Sequence, residues 1–199
     1  LLIDAGANVD VKPLWLLQFG LLGSVYMARV FGLERPRVGL LNVGAEAGKG
    51  SRLVQAAFQL LSAAPALNFI GNVEGTDLPA GAADVIVCDG FTGNVVAKLS
   101  EGVAGLGGGW MRDEIRADKL APVGALLLRG AFGRVRRRLA YANYGGCAPL
   151  FGLNGLVVKA HGRADAAALT YALELAASAV RTDLIGTMRE ALAGAAASA

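Results

Sequence analysis

The sequence predicts a doubly wound α/β fold: a mostly parallel sheet with helices on both faces. Three observations carry that prediction. The strand-like runs are short and continuously apolar, they alternate with helix-length segments, and several end in glycine-rich loops that feed a helix. Composition agrees, because 54% of the 199 residues are hydrophobic and 18% charged, too apolar for disorder and long enough for one sizeable core. The 28 glycines and 6 prolines follow no collagen period and belong in turns and close-approach loops.

Taken in order, Leu1 to Ile3 reads as a strand that gives way at Asp4-Ala-Gly-Ala-Asn8 to a loop. Pro13 opens a helix that runs to Phe31, with Gly32 at the position of a terminating C′ glycine. Val38 to Val43 is the second strand, followed by the loop Gly44-Ala-Glu-Ala-Gly-Lys-Gly50 and a helix from Ser51 to about Ala63. Asn68 to Gly71 and Asp84 to Cys88 are further short strands, and Asp89-Gly-Phe-Thr-Gly-Asn94 is a loop feeding a helix from about Val95. Gly105 to Gly109 reads as a hinge, and a helical region continues through Tyr141. After Tyr144-Gly-Gly146 come a strand, Leu156 to Ala160, and a last helix from Asp165 to about Leu192, with a tail from Ala193 to Ala199 expected to fray. There is no internal repeat, and residues 1–199 read as a single, partial α/β domain with a basic amphipathic helical insertion at about 112–141.

Several classes are excluded. Cys88 and Cys147 make no disulfide framework, and the lone His161 leaves no multi-histidine or zinc pattern, so no metal and no cofactor are expected. The longest apolar stretch, Leu14 to Ala28, is interrupted by Gln18, Gly20, Gly23 and Ser24, short of the roughly 18 to 20 clean residues of a membrane span. The absence of a disulfide framework points to the cytosol, and the start LLIDAGANVD lacks the basic region of a signal peptide and reads as a cut end. A net charge of +3 is too small to imply nucleic-acid binding.

In a doubly wound sheet, ligands bind at the carboxyl ends of the strands, where the loops after Ile3, Val43 and Cys88 gather. Gly44, Gly48 and Gly50 with Lys49 form a candidate phosphate cradle, since glycines let backbone N–H groups approach an anion and a helix N-terminus follows. A glycine-rich connection with a solvated lysine fits the same residues. The Walker A spacing is broken: three residues instead of four separate Gly44 from Gly48-Lys49, and Gly50 stands where Ser or Thr belongs, which argues against a nucleotide hydrolase. Gly90, Thr92, Gly93 and Asn94 supply N–H, O–H and amide donors suited to an oxyanion; they also fit an ordinary turn with Thr92 or Asn94 as N-cap. Asn8 has the same ambiguity, His161 reads as structural or functional, and Cys88 reads as a small core residue.

Leu128, Phe132, Val135 and Leu139 fall on one helical face, with Arg129, Arg134, Arg136, Arg137 and Arg138 on the flanks and back. These five arginines lie in ten residues that contain no acid, leaving 14 bases against 16 acids, a net −2, for the rest. The stretch suits docking on the core or a second subunit, an acidic partner, or an anionic membrane surface.

The loops together resemble one family, the bacterial acyl-acyl carrier protein:phosphate acyltransferases (PlsX) of phospholipid synthesis. The resemblance rests on LLIDAGANVDVKP at 1–13, PRVGLLNVGAEAGKG at 36–50, NFIGNVEGTDL at 68–78, ADVIVCDGFTGNVVAKLSEG at 83–102, YGGCAPLFGLNG at 144–155 and KAHGRAD at 159–165. It implies a three-layer Rossmann-like sheet of the isocitrate/isopropylmalate dehydrogenase kind with a protruding helical region. It further implies transfer of a long-chain acyl group from acyl carrier protein to inorganic phosphate. Lys49 would hold phosphate or offset developing charge, Asn94 would orient phosphate or stabilise the oxyanion, and Asn8, Thr92, the loop glycines and His161 would complete the site. Family members carry a preceding segment with a DAMGGD-like loop and an SAGNTGA-like stretch, so the chain corresponds to their C-terminal portion. The resemblance also implies a homodimer, cytoplasmic and peripherally attached to the membrane, that supplies a downstream glycerol-3-phosphate acyltransferase. The alternatives are a short-chain acyl-coenzyme A:phosphate acyltransferase, or a non-catalytic fragment that binds membrane or carrier protein.

Overall fold

The computed structural model describes residues 1–139, 147–160, 162 and 164–197. Four strands, β1 (Leu2–Ile3), β2 (Arg37–Leu41), β3 (Asn68–Val73) and β4 (Val85–Val87), form a sheet in the order β1-β4-β2-β3. Every pairing is parallel, and Val87 lies opposite Ile3 on one side and Leu40 on the other. All four carboxyl ends therefore open on one edge.

Helix α1 (Pro13–Phe31) has the predicted bounds: Pro13 occupies its first turn, and Gly32 closes it in the left-handed conformation at φ 73°. By length and composition alone α1 could cross a membrane, but in the fold its apolar residues serve the core. Leu16, Leu17 and Leu21 pack with Val38, Leu40, Val85, Val87 and Ile3, and with Ala57 and Leu61 of α2 (Arg52–Ser62). Close approach requires Gly23, where a Cβ would stand 2.6 Å from Val85 Cγ1. The opposite face of the sheet carries a smaller cluster, Val73, Ala83 and Ile86 with Leu2, Leu41 and Leu78, the last from the short α3 (Asp77–Ala80).

Later boundaries depart from the sequence reading for identifiable reasons. Val43 is 81% exposed and lies beyond β2, whereas β3 extends to Val73. Helix α4 (Gly90–Ala117) starts five residues early and passes through Gly105–Gly109 without a hinge. It ends where Asp118 accepts the N–H groups of Leu120 and Ala121, opening α5 (Ala121–Leu127). The basic amphipathic stretch is consequently two elements, with Leu128 capping α5 and α6 running from Arg129 to Leu139. Strand β5 (Cys147–Leu150), unforeseen because Pro149 disfavours a strand, pairs with β6 (Val157–Ala160). The last predicted helix is also divided, into α7 (Ala166–Arg181) and α8 (Leu184–Ala197), by Asp183 at φ 47°, whose carboxylate then accepts the Gly186 N–H.

The chain falls into two compact units. The first holds Leu1–Val96, Leu150–Val157 and Leu175–Ala199, and thus the parallel sheet; the second holds Ala97–Pro149 and Val158–Glu174. In the second unit Leu99, Val103, Leu106, Trp110, Leu126, Leu127 and Val135 are exposed, and Ala168 is its one buried hydrophobic among the described residues.

Candidate active site

The carboxyl edge of the first unit begins at β1. Asp4 follows the strand at 7% exposure, the one buried charged residue among those described. Its Oδ1 accepts the Gly6 and Ala7 N–H groups, each at 2.8 Å, and its Oδ2 accepts the Asn8 N–H and side-chain Nδ2, each at 2.7 Å. Burial pushes the carboxyl up, but these four donors outweigh it and hold Asp4 below the usual aspartate range. Asn8 thus has one amide donor committed to the carboxylate, and its backbone carbonyl accepts the Gly90 N–H at 2.8 Å.

Next along the sheet is β4, which leads into α4. Asp89 is the N-cap: Oδ1 accepts the Thr92 N–H at 2.8 Å and Oδ2 accepts the Thr92 hydroxyl at 2.7 Å. The cap is therefore neither Thr92 nor Asn94, and the Thr92 proton is already engaged. Gly90 and Gly93 are buried against the β1 loop. A Cβ on Gly90 would meet the Asn8 carbonyl oxygen at 2.7 Å, and one on Gly93 would collide with the Asp4 carbonyl and lie 2.9 Å from Cys88 Sγ. Asn94 sits exposed over Gly6 with its amide unpartnered. Cys88, beneath this contact, has its thiol raised to about 12 by burial and by the Asp89 and Asp4 charges, so it is no thiolate nucleophile.

The third loop follows β2. Here side-chain amides grip carbonyl oxygens: Asn42 Nδ2 donates to Lys49 at 3.0 Å, Asn72 Nδ2 to Glu46 at 2.8 Å, and Gln55 Nε2 to Gly48 at 2.8 Å and Gly50 at 3.0 Å. Gly50 has φ 88° and packs against Asn42 too closely for any Cβ. With the loop held by its carbonyls, the N–H groups of Gly44, Ala45, Glu46, Ala47, Gly48 and Gly50 have no hydrogen-bond partners, and only that of Lys49 donates, to the Glu46 carbonyl at 3.1 Å. Lys49 is exposed and forms no ion pair within 4 Å. Gly44 is buried beside the Lys49 chain, 3.2 Å from Cγ to a Cβ position, and Ser51 caps α2 immediately after the loop.

Strands β1, β4 and β2 are consecutive neighbours at about 4.8 Å spacing, so the three loops share roughly 10 Å of edge. Asn8 bonds Gly90 directly, Gly93 and Asn94 lie near Asp4 and Gly6 of the same β1 loop, Thr92 is held by Asp89, and Gly44, Gly48, Lys49 and Gly50 lie on the next loop. Phe132 and Val135 belong to the second unit, as do the helical positions Leu139, Arg134, Arg136, Arg137 and Arg138; His161 lies outside the described residues. Sequence reasoning passed over Asp4, Asn42, Gln55, Asn72 and Asp89. For the two aspartates a signal was present: each ends a strand and precedes small or hydroxyl residues whose N–H groups a carboxylate can cap. Among the described residues no three His, Cys, Asp or Glu side chains gather as a metal site.

Adjacent loops bearing unpartnered N–H groups, a lysine and an amide thus stand at the carboxyl edge of a parallel α/β sheet, the edge where such sheets bind ligands. The chain belongs to the family described as fatty acid synthesis protein, which matches residues 1–187. It is 47% identical over 194 residues to a phosphate acyltransferase of Heliobacterium modesticaldum, covering 98% of this chain and 57% of that protein. It is 46% identical over 187 residues to the phosphate acyltransferase of Desulforudis audaxviator, covering 94% of this chain and 55% of that one. A phosphate acyltransferase of a Geobacillus species is 47% identical over 192 residues, 96% of this chain and 58% of the relative. The chain thus spans a little over half the length of the curated relatives it matches.

Proposed function

We propose that this chain carries the phosphate-binding part of a phosphate acyltransferase, which transfers an acyl group from an acyl carrier protein thioester to inorganic phosphate in lipid biosynthesis. The observation that supports it best is the loop after β2, with six unpartnered N–H groups and Lys49 beside the edge that bears Asn94. A phosphate oxygen attacks the thioester carbonyl, forming the O–C bond as an oxyanion develops. The C–S bond then breaks, and the departing sulfur takes up the proton that phosphate gives off, yielding acyl phosphate and the free thiol. Phosphate is already anionic near neutrality, so positioning and charge stabilisation matter more than a strong base. In this reading the loop N–H groups and Lys49 hold phosphate, and the Asn94 amide faces the developing oxyanion. Asn8 and Thr92 shape the rim, and His161 is a further candidate. The finer fold proposed is the three-layer isocitrate/isopropylmalate dehydrogenase type, one partial domain with its basic insertion.

The test mixes the chain with long-chain acyl carrier protein and phosphate, with the full-length Heliobacterium relative as control. Lys49→Ala and Asn94→Ala should each slow acyl phosphate formation by roughly 10²-fold or more while the protein stays folded. Absence of phosphate-dependent product from the folded chain overturns the reading for this chain, and preference for short acyl-coenzyme A changes the donor.

A companion reading concerns the second unit. Exposed Leu126, Leu127, Leu128 and Val135, with Phe132 at the margin, share a short stretch with Arg129 and Arg134, the combination that binds anionic lipid surfaces. We assign it to peripheral membrane attachment of a cytoplasmic homodimer that passes its product to a glycerol-3-phosphate acyltransferase. Flotation with anionic liposomes that survives Leu128→Glu and Phe132→Glu counts against it; flotation with no turnover favours a binding fragment.

A further inference from the structure

We propose that Asp4 is the positioning residue of this site: its carboxylate folds the loop after β1 into the seat on which Asn94 rests, and it acts on acyl transfer only through that amide. The proposal rests on the reading of Asn94 given above. Asp4 itself is no partner for the substrate. A carboxylate offers about four acceptor directions, and here four donors from Gly6, Ala7 and Asn8 fill them. Turning these N–H groups inward bends the chain so that Gly6, at φ 132°, lies beneath Asn94. A Cβ there would stand 3.4 Å from Asn94 Cβ and Oδ1, so the bare backbone of Gly6 lies within one side-chain atom of Asn94. The same bend presents the Asn8 carbonyl to the Gly90 N–H at 2.8 Å, tying the loop to the first turn of α4. The Asn94 side-chain amide makes no hydrogen bond, which leaves the nearby β1 loop backbone as the neighbour that limits where it can lie.

The experiment is a double-mutant cycle on this chain, with acyl phosphate formation and Asn94 side-chain amide NMR as readouts. Asp4→Asn keeps the size but turns an NH₂ group toward N–H donors. It should slow turnover by roughly tenfold or more, the scale of a small misplacement of a reacting group. Combined with Asn94→Ala it should add less than about twofold further loss, whereas with Lys49→Ala the two losses should multiply. The Asn94 NH₂ resonances should shift in Asp4→Asn. Losses that multiply with Asn94→Ala, or an unmoved Asn94 amide, overturn the proposal. If Asp4→Asn does not fold, Gly6→Ala keeps the carboxylate, pushes a methyl toward Asn94, and is held to the same outcomes. A folded parent without turnover refutes the acyltransferase reading; the amide shift then decides the seat alone.

Discussion

Replacing Gly93 by alanine should unfold the first unit more readily, although the same substitution ordinarily strengthens a helix. Gly93 sits in the first turns of α4, where alanine would contribute about 1 kcal/mol through backbone entropy. Against this, the new methyl would overlap the Asp4 carbonyl and stand 2.9 Å from Cys88 Sγ. The Asp4 backbone cannot yield cheaply: its N–H donates to the Cys88 carbonyl at 2.9 Å, and its carboxylate anchors the following loop. Overpacking in a filled core costs about 1–3 kcal/mol, and an obstacle made of backbone belongs at or above the top of that range. The net expectation is a loss of about 2 kcal/mol. Gly102→Ala is the control in the same helix: a Cβ there meets nothing within 4 Å, so a gain of about 0.5–1 kcal/mol is expected. Urea unfolding in a Trp110→Phe background lets Trp15, in the first unit, report Gly93→Ala, while far-UV circular dichroism reports Gly102→Ala. A Gly93→Ala midpoint at or above the parent's would refute the packing argument.

Two further outcomes follow from the same edge. Gln55→Leu removes two of the four side-chain grips on the β2 loop; releasing the Gly48 and Gly50 carbonyls should weaken phosphate binding by about fivefold to tenfold, measured by calorimetry, with the unfolding midpoint little changed. Because the folded-state pKa of Asp4 is depressed, its stabilising contribution is present above the ordinary aspartate pKa and is lost as pH falls through the lower folded value. The acid unfolding limb below about pH 4 should therefore be shallower in Asp4→Asn than in the parent, which circular dichroism across an acid titration checks.

What the sequence discloses depends on whether a residue's partner is local. Helix α1 was legible to the residue because Pro13 and Gly32 act on their own turns. The break at Asp183 was not, since aspartate only tolerates the left-handed conformation and the apolar spacing continues past it. Gly105 to Gly109 looked like a hinge because glycine disfavours helix, yet the ladder carries through. At the site, the loop of Gly44, Gly48, Lys49 and Gly50 announced itself by composition. Asn42, Asn72 and Gln55 did not, because what they hold lies on that loop several to 26 residues away. Gly90 and Gly93 were visible as glycines but not as the places where β1's loop presses on α4.

The placement of the two carboxylates bears on where an anion can sit. A helix N-terminus attracts negative charge, and the glycines in the first turns of α4 suggest that phosphate would use it. Asp89 already occupies that position and takes both the N–H and hydroxyl of Thr92, so a phosphate on the same donors would face a carboxylate. Asp4, next along the edge, is likewise saturated by its own loop. The unpartnered N–H groups and Lys49 lie one strand further on, after β2, on a loop that also brings the Glu46 carboxylate beside Gly44. Phosphate bound there would approach the α4 side past Asn94, whose neutral amide can donate to a developing oxyanion without adding charge beside Asp4 and Asp89. In the proposed reading the labour divides by charge: the β2 loop would bind the anion, and the β1 and β4 loops, with their carboxylates hydrogen-bonded internally, would hold an uncharged donor against it.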